Sequence, residues 1–512
     1  QDVTDQADED SIPFPSLAPG DVIDVSYRVE DYQRGDLAGQ FWNEWFIDAT
    51  EKPVKVSRFV LITPTGMSYK TQEHGAVPQP TTKTLGKWTI HEWREANVPM
   101  VSTETLGTTR VDCGSWLDIS TVPSWSTIVH WYRGLSGPLC VPDATIRAKA
   151  AELTKNATTE DDKMHAIVAY VRQLRYQSTP FRLSAYIPTE GKQVIREGYG
   201  DCKDKAALLT SLLAAVGIQA HMALLSPRSH GITPYLPSPR FNHAIACVDT
   251  SHGPVWVDAT ADQMQYGDLP SGDQQVPALL IDDSTTDLTA IPVLPVDSTK
   301  VQQAYTGSLS EDGDLHDSLS WTCTGDMAWI MRTAFKQVPK DKDDEALRQI
   351  ATEFSSTAVY DTGSLGGLDD PDSPFTMQIQ YHIDHFGAVA GGFLLAKLPW
   401  AHDDESALEA ALADPKRSQD VEVAEARGDY VTTLDLTMPA GYTPQDLQPD
   451  VSQDSPWGSF HMTYSVQGNV LHAVREYKLT ALRVPLADVP KFLAFIKALN
   501  DETNKQVVYK KG

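Results

Sequence analysis

The stretch GYGDCKDKAALLTSLLAAVGI, residues 198–218, constrains this chain more than any other. Ala206, Leu208, Leu209, Leu212, Leu213 and Val216 recur at helical spacing, and Gly217 follows as the residue type that closes a helix in a left-handed conformation. Gly198 and Gly200 punctuate the approach, so Cys202 falls at or beside the first helical turn. A thiol there meets unpaired backbone N–H groups and the positive end of the helix dipole. Both favour the thiolate, which is the nucleophile. Lys203 and Lys205 add positive charge nearby, partly cancelled by Asp201 and Asp204.

A nucleophile needs a base within reach and a group that orients the base. Downstream, FNHAIACVD (241–249), TSHG (250–253) and PVWVDAT (254–260) read as two strands joined by a short turn. With those four middle residues as the loop, Asp249 faces Pro254, Ile245 faces Asp258 and His243 faces Thr260. Side chains alternate along a strand, so these last four share one face. Diagonal neighbours on such a face lie about 7–8 Å apart, within reach for a His and an Asp to meet. Cys202, His243 and Asp258 therefore form a candidate triad of nucleophile, base and orienting carboxylate.

These same segments, YGDCKDKA (199–206) leading into a helix, NHA (242–244) and WVDAT (256–260), resemble the transglutaminase-like superfamily. They resemble more closely a bacterial branch in which that core follows a β-rich domain of unknown function. The resemblance implies a papain-like layout with Cys202, His243 and Asp258 in the catalytic roles. It also implies thiol-dependent acyl transfer on the amide bond of a peptide or protein, through a thioester. Water as acceptor makes such an enzyme a peptidase or amidase, and an amine makes it a transglutaminase; for a bacterial member hydrolysis is favoured. The alternative is a catalytically silent scaffold whose β-domains bind protein partners.

Acyl transfer also needs donors aimed at the developing oxyanion. The backbone N–H of Cys202 is one. Classical transglutaminases use an upstream Trp as another, and this chain has none between Val168 and Cys202. Tyr176 and Gln177 are the candidates to replace it. An Arg-Tyr pair and a later Tyr-x-Pro recur in the resembling proteins and match Tyr176 and Tyr186 with Pro188. The proline-rich stretch 226–241, which runs directly into the His strand, offers Tyr235 and Arg240 as substrate contacts.

At 512 residues the chain suggests roughly three domains. We divide it into a sandwich-like β-domain over residues 1–142, the transglutaminase-like core over 143–292, and a second β-rich domain over 293–512. The fold class expected is α+β. Strands are expected at 21–29 and 54–62, where apolar residues alternate. Trp42, Trp45, Trp88 and Trp93 suit core or interface positions better than a carbohydrate platform. Ser124 or Ser126 opens a short helix carrying Ile128, Val129 and Trp131, residues 146–153 form another, and Thr158 or Thr159 caps a third. Toward the C-terminus a hairpin is expected to turn at Asp312-Gly313, with helices at 343–355, 404–413 and 490–499.

A net charge of −27 argues against nucleic acid and anionic membranes and suits cationic partners such as amines or Lys-rich peptides. No run of about eighteen apolar residues is present, so no transmembrane helix is expected. The acidic opening lacks the features of a signal peptide. The resemblance implies a leader upstream and a periplasmic or secreted location, with a cytoplasmic one as the alternative. Besides Cys202, the thiols Cys113, Cys140, Cys247 and Cys323 allow up to two disulfides, Cys113–Cys140 being the first pair to test, or else four buried thiols. Neither Cys-x-x-Cys nor His-x-x-x-His occurs, and the acidic clusters at 341–345 and 369–372 lack calcium-loop spacing. No metal and no cofactor are expected.

Overall fold

A computed structural model describes residues 16–30, 35–50, 52–102, 104–177, 186–228, 235–402, 405–445 and 447–512. The chain forms two compact units. One comprises Gln1–Val101, Gly114–Asp262 and Gln275–Ile291, the other Ser102–Cys113, Gln263–Gln274 and Pro292–Gly512. The mixture of helix and sheet is α+β, as expected.

The first unit opens with two three-stranded antiparallel sheets. Strands β1 (Trp42–Phe46), β2 (Val54–Pro64), β3 (Lys70–His74), β4 (Thr81–Leu85), β5 (Trp88–Val98) and β6 (Trp116–Ser120) pair in the orders β1-β6-β3 and β2-β5-β4. Alternation over 54–62 does produce β2, whose Leu61 is buried with Trp93, Leu117 and Ile119, while Trp45 stacks on Phe59. Trp88 stays 41% exposed. The strand expected at 21–29 does not form. Alternation makes a strand possible, but backbone N–H and C=O groups need a neighbouring strand. Among the described residues none pairs with this segment, and Val22, Val25, Tyr27 and Val29 are exposed. The acidic first fifteen residues lie outside the described ones.

Helix α1 (Trp125–Ser136) starts at Ser124, whose hydroxyl accepts the Thr127 N–H. Helix α2 (Ala144–Leu153) is capped by Asp143, and α3 (Glu160–Gln173) by a reciprocal Thr159/Asp162 box. Then come β7 (Arg175–Tyr176), α4 (Gly191–Glu197), β8 (Tyr199–Gly200) and α5 (Cys202–Ala215). A five-stranded sheet follows in the order β11-β10-β9-β12-β13, built from β9 (Ala220–Leu225), β10 (His243–Thr250), β11 (Gly253–Val257), β12 (Pro277–Leu280) and β13 (Thr289–Ala290).

Every residue of α5 from Asp204 to Leu213 is buried, because α2, α3 and α4 pack on it from one side and β9 and β10 from the other. A helix enclosed in this way needs apolar residues all round. Its end is a Schellman turn: Gly217 sits at φ +83°, its N–H reaches Ala214 O, and Ile218 N–H reaches Leu213 O. α1 packs in one cluster with Ala206 and Ala207 of α5 and Met222, Leu224 and Ala244 of the sheet.

The second unit is dominated by an eight-stranded sheet in the order Val359–Gly366, Phe375–Ile383, Leu315–Cys323, Lys300–Leu309, Gly428–Thr437, Val470–Leu479, Gly458–Gln467 and Val451–Ser455. Gly313 turns the hairpin between Lys300–Leu309 and Leu315–Cys323 with φ +88°. Helices occupy Asp343–Phe354, Ser406–Leu412 and Val489–Thr503. A further one at Gly325–Lys336 was not expected from the sequence. The acidic residues Asp343, Asp344 and Glu345 form the first turn of their helix, complementing its dipole.

Of the two alternatives for the cysteines, the structure has the free thiols, with Cys247 and Cys323 buried and Cys113 and Cys140 half-buried. All five thiols are free, and Cys113 belongs to the second unit while Cys140 belongs to the first. Cys140 packs on the α1 cluster. Burial pushes its thiol up to about 12, as it does those of Cys247 and Cys323.

Candidate active site

Cys202 is the first residue of α5, and the residues around it explain why it sits there. Asp201 is the N-cap: its Oδ1 accepts the Asp204 N–H at 3.2 Å, and Asp204 Oδ2 accepts the Asp201 N–H at 3.2 Å. Asp204 Oδ1 also takes the Thr189 N–H at 2.6 Å. The two aspartates flanking the cysteine are thus a reciprocal cap rather than surface charges. The cap leaves the Cys202 N–H unused, and no acceptor among the described residues takes it. Gly200 precedes the cap because a Cβ there would lie 2.8 Å from Asp204 Cβ. Gly198, at φ +74°, ends α4 rather than opening α5.

The register of β10 with β11 matches the sequence reading, Asp249 opposite Pro254, but the turn is tighter: Thr250 pairs with Gly253 around Ser251-His252. The ladder stops at Val257, and Asp258 stands just beyond it. His243, the first residue of β10, brings Nε2 to 3.1 Å from Asp258 Oδ2. The Cys202 sulfur is near enough to the ring to raise its basicity. With Nε2 donated to the carboxylate, Nδ1 is the nitrogen left for the sulfur.

Asp258 is 4% exposed, and both carboxylate oxygens and its backbone carbonyl are hydrogen-bonded. Oδ1 accepts both the N–H and the hydroxyl of Thr260, each at 2.7 Å, and the backbone carbonyl accepts Arg172 Nε–H at 3.1 Å. Burial opposes a charged imidazole, but the Asp258 carboxylate, the bond to it and the nearby Cys202 sulfur outweigh it and raise His243 well above 6.5. Burial likewise pushes the Asp258 carboxyl up, yet the imidazolium and the two Thr260 donors win and hold it below the ordinary 3.8. Thr260→Val keeps the backbone donor and loses the hydroxyl. It is expected to lower stability at pH 7 by about 1.5–3 kcal/mol, the range for a hydrogen bond to a charged group. An unchanged denaturant midpoint would show that the hydroxyl contributes nothing.

The remaining expected residues fall in two groups. Tyr176 is half exposed on β7, opposite Gly200, two residues before Cys202. Gln177 donates its N–H to Gly200 O and accepts Arg175 Nη2–H at its Oε1. Both therefore flank the strand that leads into the nucleophile. Tyr186 packs edge-on against Trp131, in the cluster that also holds Cys202. Tyr235 rests on Trp116 at 4.9 Å, and Arg240 pairs with Asp118 of β6 and Glu44 of β1. The Arg240 guanidinium is thus committed to stitching its segment onto the N-terminal sheet. Residues 229–234 of that segment lie outside the described ones.

The sequence reading takes Lys205 only as charge near Cys202 and Thr260 only as a neighbour of His243 on one face, and it passes over Arg172 and Tyr132. Arg172 and Lys205 interrupt apolar runs, after Val168 and Val171 and before Ala206, and a charge on a buried stripe was the available signal. Tyr132 lies buried near Cys202. Its enclosure, and the negative groups around it, keep its hydroxyl neutral.

A cysteine at the start of an enclosed helix, facing a His–Asp pair on an antiparallel sheet packed against that helix, is the layout of papain-like thiol enzymes in general. Residues 147–266 match the model of the transglutaminase-like superfamily. They are flanked by the domains of unknown function DUF3857, matched over residues 1–102, and DUF3858, over 399–509. Among solved structures, a putative protease from Parabacteroides distasonis superposes with a TM-score of 0.61 at 15% identity, covering 92% of this chain and 75% of that one. A putative cysteine protease from Cytophaga hutchinsonii (TM-score 0.22, 14% identity, 50% and 81% covered) also matches. So does the periplasmic domain of TgpA from Pseudomonas aeruginosa (TM-score 0.20, 17% identity, 43% and 76% covered). No curated protein matches significantly, and no described helix is long and apolar enough to cross a membrane.

Proposed function

We propose that this chain is a cysteine-nucleophile amide hydrolase acting on peptides or proteins. The observation that carries this reading is the His243–Asp258 pair, Nε2 to Oδ2 at 3.1 Å, set beside Cys202 at the start of the enclosed helix α5. In the reaction the Cys202 sulfur attacks the amide carbonyl, and the Cys202 N–H at the helix start donates a hydrogen bond to the developing oxyanion. Tyr176 or Gln177 supplies the second donor. His243 gives its proton to the departing amine as the C–N bond breaks, leaving a thioester. Water then attacks the thioester carbonyl, His243 takes its proton, and the C–S bond breaks to release a carboxylic acid and the free cysteine. Asp258 holds the ring orientation throughout and stabilises the imidazolium.

Mass spectrometry of a mixed peptide pool incubated with the protein and a tracer amine tests this. Cleaved peptides that require Cys202 support the hydrolase; amine-tagged peptides that dominate over cleaved ones would reassign it as a transglutaminase. A periplasmic or secreted location is part of this reading, supported by the resemblance, and fractionation of the native source checks it against a cytoplasmic one.

A further inference from the structure

The Lys205 ammonium is completely enclosed, 0% exposed, one turn along α5 from Cys202. Its Nζ donates to Leu174 O at 2.8 Å and Arg172 O at 3.2 Å, two carbonyls at the end of α3. The last turn of a helix leaves such carbonyls without intrahelical partners and carries the negative end of the dipole. Arg172, itself 4% exposed, extends its side chain from that turn to the Asp258 backbone carbonyl. A continuous route of charge-assisted hydrogen bonds therefore runs from the nucleophile helix through the end of α3 to the residue that orients His243. The charged groups that act on the ammonium are Asp258, Asp262 and Arg172.

We propose that Lys205 is a positioning residue of the Cys202–His243–Asp258 site. Through the end of α3 and the Arg172 side chain it fixes Asp258 relative to the helix bearing the sulfur, and it supplies buried positive charge beside that carboxylate. This rests on the functional reading above. Enclosing an ammonium is costly, and a neutral side chain would fill the same space at lower cost if packing were its only duty. Burial does depress its basicity to about 8, against the pull of Asp262 and Asp258.

The test measures Cys202 alkylation by iodoacetamide, site-resolved by mass spectrometry, in the full chain well below its thermal midpoint. Wild type, Lys205→Met, Arg172→Lys, the double variant and His243→Ala are compared. Lys205→Met and Arg172→Lys are each expected to slow alkylation roughly 10- to 100-fold, the scale set by small displacements of reacting groups. Because both sit on one route, the double variant should be little slower than either single one. Arg172→Lys retains a buried cation and keeps the test available if Lys205→Met does not fold. A purely structural lysine predicts a lowered melting temperature with an unchanged alkylation rate in the folded protein, and that result overturns the proposal. A wild-type thiol that reacts no faster than an unstructured cysteine, and is indifferent to His243→Ala, overturns the catalytic reading as well.

Discussion

Cys202→Ala abolishes peptide turnover: the expected loss is on the order of 10⁴-fold or more, with the fold intact. The nucleophile supplies the covalent step, and the residues of such a site act as a unit, so little remains for His243 and Asp258 to do without it. His243→Ala should fall to a similar level, and the two losses should not multiply. Substrate binding should survive both changes, since neither touches the backbone N–H at the helix start. Circular dichroism and melting curves establish folding, and peptide cleavage reads the loss. A Cys202→Ala protein that still cleaves at wild-type rate would remove the thioester mechanism altogether.

Asp258→Asn is the second large effect, and its sign follows from the charges. In the wild type the carboxylate holds the buried His243 ring protonated well above 6.5, and the ring in turn holds the carboxylate ionised below 3.8. A raised histidine contributes stability that is fully present below its unfolded value of 6.5 and is lost as pH rises through the folded one. A depressed carboxylate contributes above its unfolded value of 3.8 and loses that contribution as pH falls through the folded one. The pair therefore stabilises the fold most between these two reference values. Asparagine removes the charge that sustains the imidazolium, and burial then drives the ring toward neutrality.

Two outcomes are expected. The melting temperature of the variant falls furthest below wild type near pH 5, and the gap narrows above pH 6.5 as the wild type loses its own histidine contribution. Turnover drops by up to about 10⁴-fold, the cost of an imidazole held in the wrong tautomer or orientation. A gap that instead widened from pH 6.5 to 9 would show that the pair is not charged in the manner described.

The fold class of this chain was legible in its sequence, and so were the helix and hairpin that carry the candidate site. Helix α5 could be read because Gly217 and the leucine run mark it, and the hairpin register because alternation across TSHG admits one natural alignment. That alignment placed His243 and Asp258 on one face before any coordinates were considered. What escaped was everything dependent on tertiary context. Alternation at 21–29 is as clear as at 54–62, yet only the second finds a strand partner among the described residues. Asp201 and Asp204 read as charges because a capping box is recognised most readily with Ser or Thr at its head. The burial of Lys205 and the role of Arg172 escaped because enclosure of a cation depends on carbonyls from another helix. Arg240 looked available for substrate because its carboxylate partners lie some 120 and 200 residues earlier, at Asp118 and Glu44.

The enclosure of α5 from Asp204 to Leu213 also has an evolutionary side. In many enzymes the nucleophile rides on a surface loop that can vary without disturbing the core. Here the helix that presents the sulfur is the centre of its unit, so selection for a packed interior and selection for a positioned thiol fall on the same ten residues. Amide exchange along α5 should accordingly require opening of the whole unit, and the sulfur stays poised for as long as the unit is folded at all. Adaptation to new substrates is left to the peripheral segments, where a change of sequence does not disturb the interior.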